Sequence, residues 1–300
     1  MSGSAVAVSA VRDALDRAVQ RLLAADPVAR IGDDPEGVHQ ARVATRRLRS
    51  DLLTFAPLLD PEWVESLRAE AKWLGTELGT VRESEVLLGH LRTRSRALPS
   101  DAERAVCNLV EHAAGDREAA YARVVGIMRS TRYLELVDRL VQGAIAPRVQ
   151  PEAFRAGRPE LARLARRPWK KLERDHGRLG SNPPDEVLHA LRIRAKRARY
   201  AVEAVADFFD SDAPHELAAA LTNLQDVLGA HQDAVVAQTW LHDELAREHA
   251  ARRNGDRPGP AQTFAAGMLA GLLRIDALAA LEELPEAWRR TDRSRLTSWM

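Results

Sequence analysis

The sequence predicts an all-α fold built twice. Ala, Leu, Arg and Glu dominate while β-branched and aromatic runs are scarce, and apolar residues recur at spacings of three and four. Part of the first half also returns in the second, offset by 150 positions. With 45% apolar, 29% charged and 5% aromatic residues over 300 positions, the chain has enough core-forming residues for one large domain or two small ones, and too many for disorder.

The elements follow from the breaks between them. Met1–Asp13 has a short apolar run with no basic segment before it, so it reads as the lead-in to a first helix and not as an export signal. A second helix is predicted after Asp33-Asp34-Pro35 and runs to Pro57–Pro61. Further breaks are expected near Gly79, at Leu98-Pro99-Ser100-Asp101, at Pro147–Pro151, at Ser181–Asp185, at Ser211–Pro214, near Gly229 and at Gly255–Pro260. Roughly ten helices result, with no credible strand. Asp34-Pro35-Glu36 and Pro184-Asp185-Glu186 place proline and acids at first turns, where unpaired amides and the helix dipole favour them. The longest uncharged stretch, Pro258–Leu273, is shorter than the roughly 20 residues a membrane span needs, so no span is expected.

The repeat is specific in its residues. Val38-His39-Gln40-Ala41-Arg42-Val43 with Arg46-Arg47-Leu48-Arg49 returns as Leu188-His189-Ala190-Leu191-Arg192-Ile193 with Lys196-Arg197-Ala198-Arg199. Leu67, Ala71, Leu74, Leu78-Gly79 and Glu83 meet Leu217, Leu221, Leu224, Leu228-Gly229 and Asp233 at the same offset. Upstream, Arg17 and Arg21 meet Arg167 and Lys171. The chain therefore divides into a first helical repeat, residues 1–150, and a second, residues 151–300. The third and fourth helices of the two halves share little.

On a helix, His39, Arg42, Arg46 and Arg49 fall within an arc of about 80°. Ala41, Ala44, Leu48, Leu52 and Phe55 take the opposite side. His189, Arg192, Lys196 and Arg199 repeat the stripe, and no acid interrupts either run. Like charges one turn apart repel, so something must offset the cost. Arginine is abundant here: 44 Lys and Arg include four lysines, so a single basic run means little. A stripe duplicated with the same histidine points instead to an anion site. It covers about 15 Å of helix, which suits an extended polyanion better than one phosphate. From Arg158 through Arg199, thirteen basic and five acidic side chains add local positive charge. Arg17, Arg21, Arg167, Lys170, Lys171 and Arg174 are expected to form a secondary basic surface.

These motifs, each followed by a Leu-Gly and an acid (Leu78-Gly79-x-x-Arg82-Glu83 and Leu228-Gly229-x-x-x-Asp233), resemble the CHAD domain, an α-helical domain named for its histidines. The resemblance covers nearly the whole chain, as a single domain over 1–300. It implies two four-helix-bundle-like halves related by a pseudo-twofold, with the duplicated basic helices lining a groove that binds inorganic polyphosphate. Its binding residues carry over to His39, Arg42, Arg46, Arg49, His189, Arg192, Lys196 and Arg199, with Arg47 and Arg197 beside them. The halves differ: Ser50 stands opposite Tyr200, and Gln232 replaces the counterpart of Arg82. The Glu-x-Glu-x-Lys motif of the triphosphate tunnel domain that accompanies some members is not matched by Glu83-Ser84-Glu85-Val86-Leu87, so that catalytic module is not expected.

No catalytic residues, metal or cofactor are expected. Glu83, Glu85, Asp226 and Asp233 are read as lying near helix ends, capping or pairing with arginine. The remaining histidines are scattered. His39 and His189 each sit one turn from an Arg, which should lower their pKa below about 6.5 until a bound polyanion raises it. Nucleic acid is the second function class considered, but Tyr200 is the stripes' only aromatic neighbour and the platforms of single-strand binders are missing. A helical scaffold for an acidic protein, using Trp288–Trp299 or the basic surface, is the third. The lone Cys107 leaves no intrachain disulfide, which fits a reducing compartment, and a cytoplasmic location, at polyphosphate granules, is expected.

Overall fold

Prolines and polar caps set the helix ends of the computed structural model, which describes residues 6–31, 35–251 and 259–300. Asp60 opens one helix by accepting a hydrogen bond from the Trp63 amide, with Pro61 supplying a first residue that needs no amide partner. Ser130 caps another through the Tyr133 amide. The helices are α1 (Val6–Ile31), α2 (Pro35–Thr54), α3 (Pro61–Ser95), α4 (Ser100–Ala105), α5 (Cys107–Met128) and α6 (Thr131–Ile145). They continue as α7 (Arg158–His176), α8 (Asp185–Val205), α9 (Ala213–Ala251), α10 (Pro260–Glu282), α11 (Leu284–Thr291) and α12 (Ser294–Thr297). Short 3-10 turns join some of them. The described residues form no sheet, only an isolated bridge between Leu59 and Val149. That bridge, with the Asp60 amide donating to the Arg148 carbonyl at 2.8 Å, ties the Pro57–Pro61 break to the Pro147–Pro151 break.

Two expected breaks are absent. α3 runs unbroken through Gly79 and α9 through Gly229. Each glycine faces an arginine of the neighbouring basic helix at ordinary contact distance: a Cβ at Gly79 would sit 3.8 Å from Arg42 Nε, and one at Gly229 would sit 3.7 Å from Arg192 Nε. Glu83, Glu85, Asp226 and Asp233 consequently lie inside long helices, not at ends where they could cap. The Asp33-Asp34 start signal and the Gly255–Pro258 break fall outside the described residues.

The same helix pairings occur in each half: α2 lies against α1 and α3, α8 lies against α7 and α9, and α2 packs on α8. The apolar side chains opposite each stripe, from Ala41 to Phe55 and from Leu191 to Val205, are buried. The main core takes residues from both halves, including Leu48, Leu74, Leu191 and Leu224. A second cluster gathers Leu87, Leu91 and Leu109 with Leu241, Leu269 and Leu273 at the far ends of α3 and α9. Packing is thus divided along the long helices, and both clusters cross the sequence boundary near residue 150.

Pro260–Thr291 contains a window long and apolar enough, by length and composition, to cross a membrane, with 28% of it buried against the rest of the chain. The sequence reading stopped at Arg274 and missed this, because two charges inside a helix do not cancel the hydropathy of their neighbours. Both charges are engaged: Arg94 donates to Asp276 through Nε at 2.6 Å, and Arg274 faces Asp185 at 3.7 Å. Ala265, Leu269, Leu273 and Ala277 on the same helix are buried in the fold.

Candidate functional site

The facing sides of α2, α3 and α8 enclose a groove of about 480 Å³. Arg42, Arg46 and Arg49 enter it from α2, Lys196 and Arg197 from α8, and Arg68 from α3. Gly75, Thr76, Gly79 and Thr80 keep the α3 wall low, so the cations are not screened by bulk. Six cations face one carboxylate, Glu83, whose Oε1 lies 3.4 Å from Arg42.

Charge crowding registers in proton affinities. Burial and four arginines, Arg192 and Arg199 on its own helix with Arg46 and Arg42 across from it, push the Lys196 ammonium down to about 7. Burial and then Arg46 lower Arg42, and burial with Arg68 and Arg197 lowers Arg49. For His39 the depression expected from the sequence is present, but burial leads it and Arg82 of α3 comes next, ahead of the stripe arginines. Several donors lack partners: His39 Nδ1, Arg46 Nε, Arg192 Nε and the Tyr200 hydroxyl are buried with no hydrogen bond. Buried polar atoms are ordinarily paired, so these atoms, of which Arg46 Nε and the Tyr200 hydroxyl belong to groove-lining side chains, mark where polar pairing is incomplete around the groove.

Not every stripe residue reaches the groove. His189 Nδ1 lies 2.8 Å from Gln232 Oε1, and Arg192 is 3.9 Å from Asp233. Arg199 lies over the Tyr200 ring at 4.6 Å and contacts Thr222 and Glu203. Arg46 and Arg47 also approach that ring, at 5.5 Å and 5.4 Å, so Tyr200 is a hub for three guanidiniums. Arg47 points away from the groove and into an ion-pair network with Asp51, at 3.2 Å, and Glu203. Burial opposes its charge, but the two acids outweigh that and raise its pKa. Burial lifts the Asp51 carboxyl to about 7 even with Arg47 beside it. Arg47, expected among the binding residues, is thus held in an ion-pair network outside the groove lining, a placement that α2 by itself gave no sign of.

The expected secondary surface divides as well. Arg17 pairs with Asp207 at 2.9 Å and, with Arg21, lines a separate mixed-charge pocket. Lys170 pairs with Glu173 and Arg174 with Asp175. Arg167 and Lys171 line a third pocket beside the groove, and together with Lys170, Arg163 and Arg166 they line an all-cationic surface hollow, so this part of the expected surface is brought together. Arg68 was missed by the sequence reading. The signal available was its place on the α3 row that continues through Lys72, Gly75, Thr76 and Gly79 at helical spacing. Elsewhere, Trp288 is buried, stacked on Trp169 and on His176 at 3.7 Å, which removes it from any scaffold surface. No group of three or more His, Cys, Asp or Glu suited to a metal gathers among the described residues.

At 30% identity over 95% of its length, the chain is similar to uncharacterized protein MT2285 and uncharacterized protein Rv2226 of Mycobacterium tuberculosis. It covers 53% of each, so it spans about half the length of the curated relatives it matches. Two solved structures share the fold at 24% identity. PptA from Streptomyces chartreusis superposes with a TM-score of 0.75 over 94% of this chain and 98% of its own. The CHAD domain from the plant Ricinus communis gives 0.73 over 96% and 93%. The family model for the CHAD domain matches residues 13–242, which contain both stripes and both Leu-Gly segments, and the chain belongs to that family.

Proposed function

We propose that the groove binds inorganic polyphosphate as an extended chain without cleaving it, and that the two basic helices descend from one duplicated unit arranged about a pseudo-twofold. The observation that carries this reading is the excess of six cations over one carboxylate in a groove where the buried Arg46 Nε lacks a partner. A linear polyanion supplies acceptors at every phosphate, so it satisfies scattered donors along the groove better than a compact anion does. Binding without cleavage is supported by the charge of the groove, whose one lining carboxylate, Glu83, is paired with Arg42. The protein is proposed to act in the cytoplasm, at polyphosphate and its granules.

Titration with polyphosphate of defined lengths, against DNA and RNA at one stated salt concentration, tests the reading. Affinity should grow with chain length until the groove is filled and should exceed that for nucleic acid of equal charge. The logarithm of the binding constant should fall linearly with the logarithm of salt, as counterions leave the polymer. Orthophosphate release in the presence of divalent metal, or equal affinity for RNA, overturns it.

A further inference from the structure

Two pockets flank the pair of basic helices, and their linings correspond at the same offset of 150 positions that relates the helices. In the first, of about 380 Å³, the cations are Arg17, Arg21 and Arg47. In the second, of about 320 Å³, the cations at the matching positions are Arg167, Lys171 and Arg197. What differs is the rest of the wall. The first pocket has Asp51, Glu203 and Asp207, which hold Arg47 and Arg17 in ion pairs. The second has Ala201, Leu53 and Pro57 in their places. Every acid has become apolar while every cation has been kept.

The consequence is a pocket with a cationic rim and an aliphatic wall. Among the described residues, Arg167, Lys171 and Arg197 have no carboxylate partner. Arg194, also in the lining, is held by Asp175 through Nε at 2.9 Å, which leaves its other nitrogens to the pocket. The Ser50 and Thr54 hydroxyls line the same space, with no hydrogen bond from either side chain. An inorganic phosphate chain has no use for the wall of Leu53, Leu164 and Pro168, and an apolar ligand has none for the cations. From this we infer that the pocket binds a small phosphate ester with a partly apolar, hydroxylated body, a nucleoside phosphate: its phosphates toward Lys171 and Arg197, its sugar at Ser50 and Thr54, its base on the aliphatic wall. The volume is at the lower end of small-ligand sites, enough for a nucleoside diphosphate whose terminal phosphate emerges. Because Ser50, Leu53 and Arg197 line both this pocket and the groove, that end would meet the polyanion site.

Calorimetric titration of the full chain with adenosine 5′-diphosphate and with pyrophosphate, at one salt concentration, tests this. The nucleotide should bind at least about tenfold more tightly, since desolvating its base adds a contribution that pyrophosphate lacks. Restoring the acids of the twin pocket, with Leu53→Glu and Ala201→Asp, should remove that preference. Lys171→Glu, at an exposed position that cannot unfold the core, should weaken the diphosphate more than it weakens polyphosphate. Equal affinity for the two diphosphates, or a larger loss with Arg42→Glu than with Lys171→Glu, overturns the inference. Polyphosphate titrated on the same samples separates the two claims: a nucleotide site without polyphosphate binding refutes only the groove, and the reverse refutes only the pocket.

Discussion

α2 and α8 carry the same motif and place it differently. α2 sends Arg42, Arg46 and Arg49 into the groove, whereas α8 contributes Lys196 and Arg197 while Arg192 leans toward Asp233 and Arg199 is enclosed by Tyr200, Thr222 and Glu203. The histidines part in the same way. His39 keeps a buried nitrogen without a partner, near Arg82, while His189 meets Gln232, the residue at the Arg82 position in the second half. The cations of the two copies are nearly identical, so the difference comes from their surroundings: Tyr200 where the first copy has Ser50, Glu203 where it has Leu53, and Asp51 where the second copy has Ala201. A duplicated basic helix is thus divided into cations that line the groove and cations held by neighbouring side chains, by a few positions around it.

The largest effect should come from striking both copies at once. Arg46→Glu with Lys196→Glu should abolish polyphosphate binding, by about a hundredfold or more, and leave the helical circular dichroism intact, since each change relieves repulsion among cations. Loss of helicity would mean that the groove cations hold the fold. Arg47→Met should do the opposite. Its side chain is 13% exposed and its partner Asp51 is 1% exposed, so removal strands a buried acid and should cost about 3–5 kcal/mol in denaturant unfolding, with a smaller change in affinity than Arg42→Ala causes.

Lys196 should set the pH response. Its pKa of about 7 in the unliganded groove rises when a polyanion binds, so binding takes up a proton. Affinity should therefore increase as pH falls from the bound pKa toward about 7, by up to about tenfold per unit, and level off below. Lys196→Arg keeps the charge and should flatten the profile between pH 9.5 and 7. A profile unchanged by that substitution would assign the titration elsewhere. The histidines should give the smallest effect: a further rise in affinity below about pH 6.5, carried by His39, whose pKa is held down by burial and Arg82. His39→Gln alone should match the double His39→Gln, His189→Gln variant. If only the double variant loses the rise, the two copies are equivalent after all.

Much of this comparison was legible before the structure. The offset of 150 positions located both basic helices, the prolines marked most helix ends, and the wheel placed Arg42, Arg46 and Arg49 on one side. Gly79 and Gly229 misled because glycine in a helical pattern reads as a stop, whereas here each sits inside a long helix whose packing against the basic helix outweighs its low propensity. Arg47 misled because a wheel orders the residues of one helix and cannot show an acid 156 positions away. Arg68 was hidden for the complementary reason: nothing in its own segment says that α3 lends a wall to α2. Side chains whose roles are fixed within one helix could be read, and those fixed between helices could not.

The division of the core along α3 and α9 has a consequence for how the molecule comes apart. The cluster of Leu91, Leu109, Leu241 and Leu269 shares no buried side chain with the core under the groove, and the two are joined through the continuous backbones of α3, α5 and α9. Local opening follows cooperative units of this kind, so the outer ends of these helices can exchange their amide protons while the inner ends stay protected. A polyanion bridging α2, α3 and α8 would slow exchange in the inner unit alone, making the outer one an internal reference within the same chain.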